Sequence, residues 1–461
     1  MLFDDDFRWG TATSSYQIEG ATRTDGRGPS IWDTFAATPG KVVNGDNGDL
    51  ACDHYNRFKE DIAIMKDLGI QAYRFSLAWS RLFPQGTSVR ENRGFDFYNR
   101  LTDSLLEAGI EPLVTAYHWD LPQGLQDKGG WANRDIVEQF ADYTASAVDT
   151  FGDRINNWVT INEPWCITWL GHLNGIHAPG LRDLDTSIAV AHHTALAHAD
   201  AVRAMRSVNP ALKIGSALNM TNFRVADETN FEVVEAAALA DSQLNRWWLD
   251  AQILGAYPQN LVEFYGSKLD SVLKADDMQK LQVETDFLGI NYYNDNFLAA
   301  ARPSDAPLSQ GSPYPFPHRV DGSAPGDLTD MGWPQTPGGL RDLLVRVSQE
   351  WPQVKELSIT ENGAAFDYEP DESGEVNDLR RANYLDDHIV AVAEAIRDGA
   401  PVKSYFAWSL LDNFEWAEGY AKRFGIVHVD FKTMKRTPKA SARKYSEIIA
   451  TRGASLLARK Y

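Results

Sequence analysis

One piece of grammar recurs along this chain and restricts its fold more than any other feature: an amphipathic helix, a glycine stop, then an apolar strand. Ile62, Met65 and Leu68 stand at helical spacing. Gly69 follows where a helix end needs positive φ, and residues 71–79 (QAYRFSLAW) then read as a strand. The order returns with Leu101, Leu105 and Ala108, then Gly109, then the strand 112–119 (PLVTAYHW). It returns again as 392–396, Gly399 and the strand 402–408 (VKSYFAW). Further strands are predicted at 7–14, 158–162, 213–218, 287–293 and 357–360. Many of these are apolar on both faces, as parallel strands covered by helices must be.

About eight strands separated by helices predict the α/β class and a single (β/α)₈ TIM barrel over residues 1–461, with extended βα loops on its C-terminal face. A doubly wound sheet would ideally show a glycine-rich phosphate turn after an early strand, and none stands there. The hydrophobic share of 43% is ample for such a core. Two segments break the rhythm. Residues 301–339, rich in Pro, Gly and Ser, predict a surface loop over the mouth. The acidic stretch 367–378 predicts a solvated loop before a helix beginning near Leu379.

Charge and cysteine usage narrow the partners. A net charge of −20 opposes binding to a phosphate backbone, so no nucleic-acid partner is expected. Cys52 and Cys166 cannot build a disulfide framework, and Cys166 is expected to be a small buried hydrophobe. His192 and His193 lack a third ligand at helical spacing, so no metal is expected. The first residues carry Asp4, Asp5 and Asp6 and no secretory pattern, and no apolar run is long enough to cross a bilayer. A cytoplasmic enzyme without membrane contact is the expectation. The sequence leaves the oligomeric state open, a homo-oligomer included.

In a barrel the chemistry sits at the C-terminal ends of the strands. Gln17, Arg74, His118, Trp119, Asn162, Glu163, Asn291, Tyr293, Glu361 and Trp408 gather there. Breaking an acetal between sugars needs a proton on the leaving oxygen and a negative group facing the developing oxocarbenium ion. Two carboxyl groups flanking the bond supply both. Glu163 in Thr160-Ile161-Asn162-Glu163-Pro164 ends one strand, and Glu361 in Thr360-Glu361-Asn362-Gly363 ends the strand three further along. No cofactor is called for by this chemistry.

The run 7–20 (FRWGTATSSYQIEG), TINEP, TENG and 408–416 (WSLLDNFEW), in this order, closely resemble glycoside hydrolase family 1. So do Asp53-His54-Tyr55, Tyr117-His118-Trp119-Asp120, Asn291-Tyr292-Tyr293, Met331-Gly332-Trp333 and Arg423-Phe424-Gly425. The resemblance covers nearly the whole chain. It implies a retaining β-glucosidase with Glu361 as nucleophile, Glu163 as acid/base, and Arg74 and Tyr293 holding Glu361 ionised. Retaining chemistry calls for carboxyls about 5–5.5 Å apart.

The resemblance also implies that Gln17, His118, Trp119, Asn162, Glu415 and Trp416 bind the sugar, with Trp408 stacked beneath it. Asn291 and Phe424 belong to the same predicted site, and Trp333 resembles a platform for the leaving group, although Pro334-Gln335 departs from the commoner pattern. Trp165 and Leu170 are expected to narrow the entrance or simply to pack the loop. Phosphosugar-specific relatives replace the carboxylate at Glu415, so unphosphorylated β-glucosides and short oligosaccharides such as cellobiose are the expected small-molecule substrates. Secondary activity on β-galactosides or β-fucosides is also expected. A 6-phospho-β-glycosidase, a transglycosylase and a non-catalytic binding barrel stand as alternatives.

Overall fold

A computed structural model describes residues 2–87, 89–299, 313–316, 319–320 and 326–457. Eight parallel strands close into a barrel: β1 (Arg8–Ala12), β2 (Ala72–Ser76), β3 (Glu111–Tyr117), β4 (Asn157–Asn162), β5 (Lys213–Asn219), β6 (Phe287–Asn291), β7 (Leu357–Asn362) and β8 (Val402–Trp408). Each strand pairs with its sequence neighbours, and β1 closes the ring on β8 with Arg8 opposite Ser404 and Ala12 opposite Trp408. All eight predicted strands are present, with ends moved by a few residues.

The predicted stops hold as well. The helix His54–Asp67 runs out at Gly69 with φ +71°, and the helix Asn92–Glu107 at Gly109 with φ +77°. A residue with a Cβ would be strained at either place. Long helices cover the outside of the ring, among them Ile136–Phe151, Leu184–Val208, Pro337–Glu350 and Leu379–Arg397. Inside the ring, Ala72, Leu113, Val159, Phe287 and Phe406 form an apolar plug that continues upward to Trp408 and Phe424. The polar residues at the strand ends therefore stand on a dry floor.

The predicted loop 301–339 overran. The helix Pro337–Glu350 starts inside it, with Pro337 in the first turn, where a missing N–H costs nothing. Residues 301–312, 317–318 and 321–325 of that stretch lie outside the described residues. The acidic stretch does precede a helix at Leu379, but Asp378 is buried rather than solvated. It accepts hydrogen bonds from the Ser441 amide at 2.8 Å and the Ser441 hydroxyl at 2.6 Å, and pairs with Arg381. A hairpin of Val427–Asp430 and Lys435–Pro438 follows β8, each arm too short to show in a sequence pattern.

The loop between β8 and this hairpin is pinned by a buried charge cluster. Asp412 accepts from Lys439 Nζ at 2.7 Å, from the Gly425 amide at 3.0 Å and from Arg423 at 3.1 Å. Both Asp412 and Lys439 are fully buried, and burial pulls the Lys439 amine down to about 8 despite its partner. Gly425 packs so tightly on the Leu411–Asp412 backbone that a Cβ there would lie 2.0 Å from the Asp412 nitrogen. Lys439→Met removes the ammonium and leaves the carboxylate under-compensated. It should lower unfolding stability by about 3 kcal/mol, read as a fall in the urea midpoint.

Candidate active site

Above the plug a cavity of about 530 Å³ opens at the C-terminal ends of the strands. Glu163 and Glu361 both line it, 5% and 3% exposed. Glu163 leaves β4 in the left-handed region (φ 47°), a conformation that costs a non-glycine residue free energy and turns its side chain out of the strand run. Trp119, after β3, and Trp416 share this left-handed backbone, with φ 79° and 50°.

Glu361 is held by two donors. Arg74 donates to Oε1 at 2.7 Å and the Tyr293 hydroxyl donates to Oε2 at 2.6 Å. Burial raises the Glu361 pKa, whereas Arg74, Tyr293 and Asn291 each favour the anion. Tyr293 itself stays a phenol, because burial and the adjacent carboxylate push it well above its ordinary value. Arg74 is almost fully buried and spends its other donors on Thr115 Oγ1 (3.0 Å), the Thr360 carbonyl (3.1 Å) and Asn162 Oδ1 (2.7 Å).

Glu163 meets a different field. Asn291 Nδ2 donates to its Oε1 at 2.7 Å, and the Cys166 thiol donates to its Oε2 at 3.2 Å. Among the described residues no cation is paired with it; Arg74 is paired with Glu361. Burial first, then the charge of Glu361, pushes Glu163 up to about 8. The two groups titrate as a pair, and their shared proton belongs on Glu163, because Glu361 alone has a guanidinium in contact.

The Asn162 amide is oriented by its partners, and through it so is His118. Asn162 Oδ1 accepts from Arg74 and from Asn291 at 3.0 Å, so its Nδ2 faces His118 Nε2 at 3.1 Å. That nitrogen must accept, and burial keeps the imidazole neutral, with its pKa well below the usual value. The ring proton therefore sits on Nδ1, a buried atom with no hydrogen-bond partner among the described residues. Gln17 is locked likewise: Ser14 donates to its Oε1 at 2.7 Å while its Nε2 donates to Asn413, to the Phe414 carbonyl and, at 3.3 Å, to Glu415.

Of the predicted site residues, His118, Trp119, Asn291, Tyr293, Trp333, Trp408, Glu415, Trp416 and Phe424 line the cavity together with the two glutamates. Gln17, Arg74 and Asn162 do not; they sit buried directly behind it and orient residues that do. Trp165 and Leu170 are lining residues too. Cys166 is buried as expected, yet it is more than a hydrophobe, because its thiol bonds Glu163. His192 bridges Tyr257 and Asp277, both at 2.8 Å, away from the cavity.

Sequence reasoning missed His177, Met220, Leu244, Asn294, Asn296 and Tyr314 in the wall. His177, Met220, Asn294 and Tyr314 sit on loops, where no periodicity marks a residue as inward-facing. Leu244 lies in the helical segment Ser242–Arg246, and Asn296 opens the short strand Asn296–Ala299. Only the aromatic run around Tyr314 offered a signal.

The profile of Glycosyl hydrolase family 1 matches residues 1–454. The chain belongs to this family. It is 45% identical to β-glucosidase A of Acetivibrio thermocellus over 98% of this chain and 99% of that protein. It is 47% identical to β-glucosidase A of Thermotoga maritima, covering 98% of each. The solved family 1 β-glucosidase of Thermotoga maritima superposes with a TM-score of 0.92 at 46% identity, over 98% of this chain and 99% of that one. The Thermotoga maritima β-glucosidase has also been solved in complex with deoxynojirimycin (TM-score 0.91, 45% identity, again 98% and 99%). A family 1 barrel thus carries the paired glutamates described above.

Because the charge of Glu361 helps hold the proton on Glu163, Glu361→Gln should lower the Glu163 titration midpoint from about 8. NMR titration of the side-chain carboxyl carbons reads this directly. An unchanged midpoint would mean that the two carboxyls do not sense each other.

Proposed function

We propose that this chain is a retaining, exo-acting β-glucosidase, working as one catalytic barrel over residues 1–461. It removes terminal β-D-glucosyl residues from glucosides and short oligosaccharides. The observation that carries this reading is the asymmetry of the two glutamates. They line one cavity, yet of the two it is Glu361 that contacts a cation, whereas Glu163, with no cation partner among the described residues, is pushed up to about 8.

The chemistry follows from that asymmetry. A Glu361 oxygen attacks the anomeric carbon as the bond to the leaving oxygen breaks, and Glu163 gives its proton to that oxygen. The negative charge of Glu361 is lost in the resulting ester, so Glu163 becomes more acidic and suits its second role. Water then attacks the anomeric carbon, its proton passes to Glu163, and the ester bond to Glu361 breaks. Two inversions return the β configuration. The double displacement is what membership of the family implies; inversion would instead need room for a water beside the sugar and carboxyls set farther apart.

The sugar would rest on Trp408, with hydroxyls meeting His118, Trp416 and Glu415. A sugar 6-phosphate is disfavoured, because no lysine or arginine is among the described lining residues and four carboxyl groups are, Glu163, Glu361, Glu415 and Glu418. Beyond Glu163 the wall of Trp165, Leu170, Leu244, Tyr314 and Trp333 would receive the leaving group. The names β-glucosidase A of two close relatives support glucose as the first choice.

Two measurements test the reading. Glu361→Ala should lose turnover of p-nitrophenyl β-D-glucoside by several orders of magnitude and recover it with azide, yielding α-glucosyl azide. A β-configured product, or no rescue at all, would reassign the nucleophile. The pH profile of kcat/KM should be bell-shaped. Its alkaline limb is the loss of the Glu163 proton, so activity falls as pH rises through about 8. Its acid limb is protonation of Glu361, so activity falls as pH drops, at a midpoint above the ordinary carboxylate value.

A further inference from the structure

Glu163 has two protein partners on its carboxyl group, and they differ in kind. Asn291 Nδ2 can only donate, and its amide is locked because Asn291 Oδ1 accepts from the Thr360 hydroxyl at 2.6 Å. Cys166 can donate through S–H or accept on sulfur. The same turn carries it: the Cys166 amide donates to the Glu163 carbonyl at 2.9 Å, which brings the thiol to 3.2 Å from Oε2. Cys166 is 6% exposed and borders the cavity beside Trp165.

An acid/base residue changes its protonation twice per turnover, so a partner able only to donate always favours the ionised form. We infer that Cys166 is a positioning residue of the acid/base: its thiol holds Glu163 Oε2 as a donor while the carboxyl is ionised and as an acceptor while it carries the proton. This rests on the reading of Glu163 as acid/base. The thiol is suited to the task because both of its hydrogen bonds are weak, so neither state is trapped. Burial and the neighbouring carboxylate push the Cys166 pKa well above the usual thiol value, so the sulfur stays protonated and does not compete as a nucleophile. A hydroxyl in its place would be the stronger donor and would favour the carboxylate. A methyl group would remove the donor and favour the acid.

The variants Cys166→Ser and Cys166→Ala therefore move the same titration in opposite directions. Relative to wild type, the alkaline limb of kcat/KM on a poorly activated alkyl β-glucoside should shift down by about half a pH unit in Cys166→Ser and up by about half a unit in Cys166→Ala. On dinitrophenyl β-glucoside the leaving group needs no acid, and turnover reports the base step. There kcat in Cys166→Ala should change about two- to fivefold while KM for the poorly activated substrate stays within about twofold.

A cysteine that merely fills space would alter thermal stability but leave the limb in place. An unmoved limb in both variants, or a shift in the same direction in both, overturns the inference. Glu163→Gln keeps the two levels apart: it should lose turnover of the alkyl β-glucoside while still releasing dinitrophenolate from dinitrophenyl β-glucoside, whose leaving group needs no acid. If turnover of the alkyl glucoside persists with its alkaline limb, Glu163 is not the group being titrated and the functional reading fails as well. If it is lost while the cysteine variants stay unmoved, only the role of Cys166 falls.

Discussion

The ion pair between Arg74 and Glu361 is the contact on which the site depends. Two charges held at 2.7 Å inside a barrel, 1% and 3% exposed, are costly to dehydrate unless further hydrogen bonds compensate them. The structure meets that demand by extending the network outward. Arg74 reaches β3 through Thr115, β4 through Asn162 and β7 through the Thr360 carbonyl, so one side chain ties together strands that are far apart in sequence. Asn162 then fixes His118, and Asn291 links Asn162 to Glu163. The orientation of polar groups around the cavity is a consequence of satisfying one buried guanidinium.

This explains why so much of the fold and the site was legible in the sequence, and where legibility ended. Gly69 and Gly109 mark helix ends through backbone conformation, a local property that one residue reveals. The strands are apolar on both sides because helices cover them, again a local pattern. Glu163 and Glu361 stand at strand ends, which the barrel geometry turns into a shared cavity. By contrast, the wall residues His177, Asn294 and Tyr314 reach the cavity through loop paths that depend on packing across the whole mouth. Their types are ordinary and their spacing carries no period. Pro337 shows the opposite error, where a loop-like composition concealed the first turn of a helix.

Cys166 and Asp378 fall between these cases. Each was placed in the right region, one buried beside Glu163 and one before a helix. Their chemistry was misjudged because hydrogen-bond partners across the fold have no signature in a linear pattern. Asp378 is buried because Ser441 and Arg381 satisfy it, and Ser441 lies far along the chain. A polar residue is solvated only when no such partner arrives.

The cavity also carries a charge problem that its chemistry exploits. Glu163, Glu361 and Glu415 line one apolar-walled space with a single guanidinium in contact with them. Three anions there would repel one another strongly in a medium of low dielectric, so protons must be retained. Burial and the other two carboxyls push Glu415 up to about 8 as well, with Gln17 as its opposing donor. At neutral pH the stable arrangement therefore leaves the charge on the carboxyl touching Arg74 and protons on the other two. That distribution suits the roles proposed for them: Glu361 as the electron-rich group, Glu163 as the proton donor, and Glu415 as a neutral partner for a sugar diol. The division of labour among three identical side chains thus follows from where one arginine was placed.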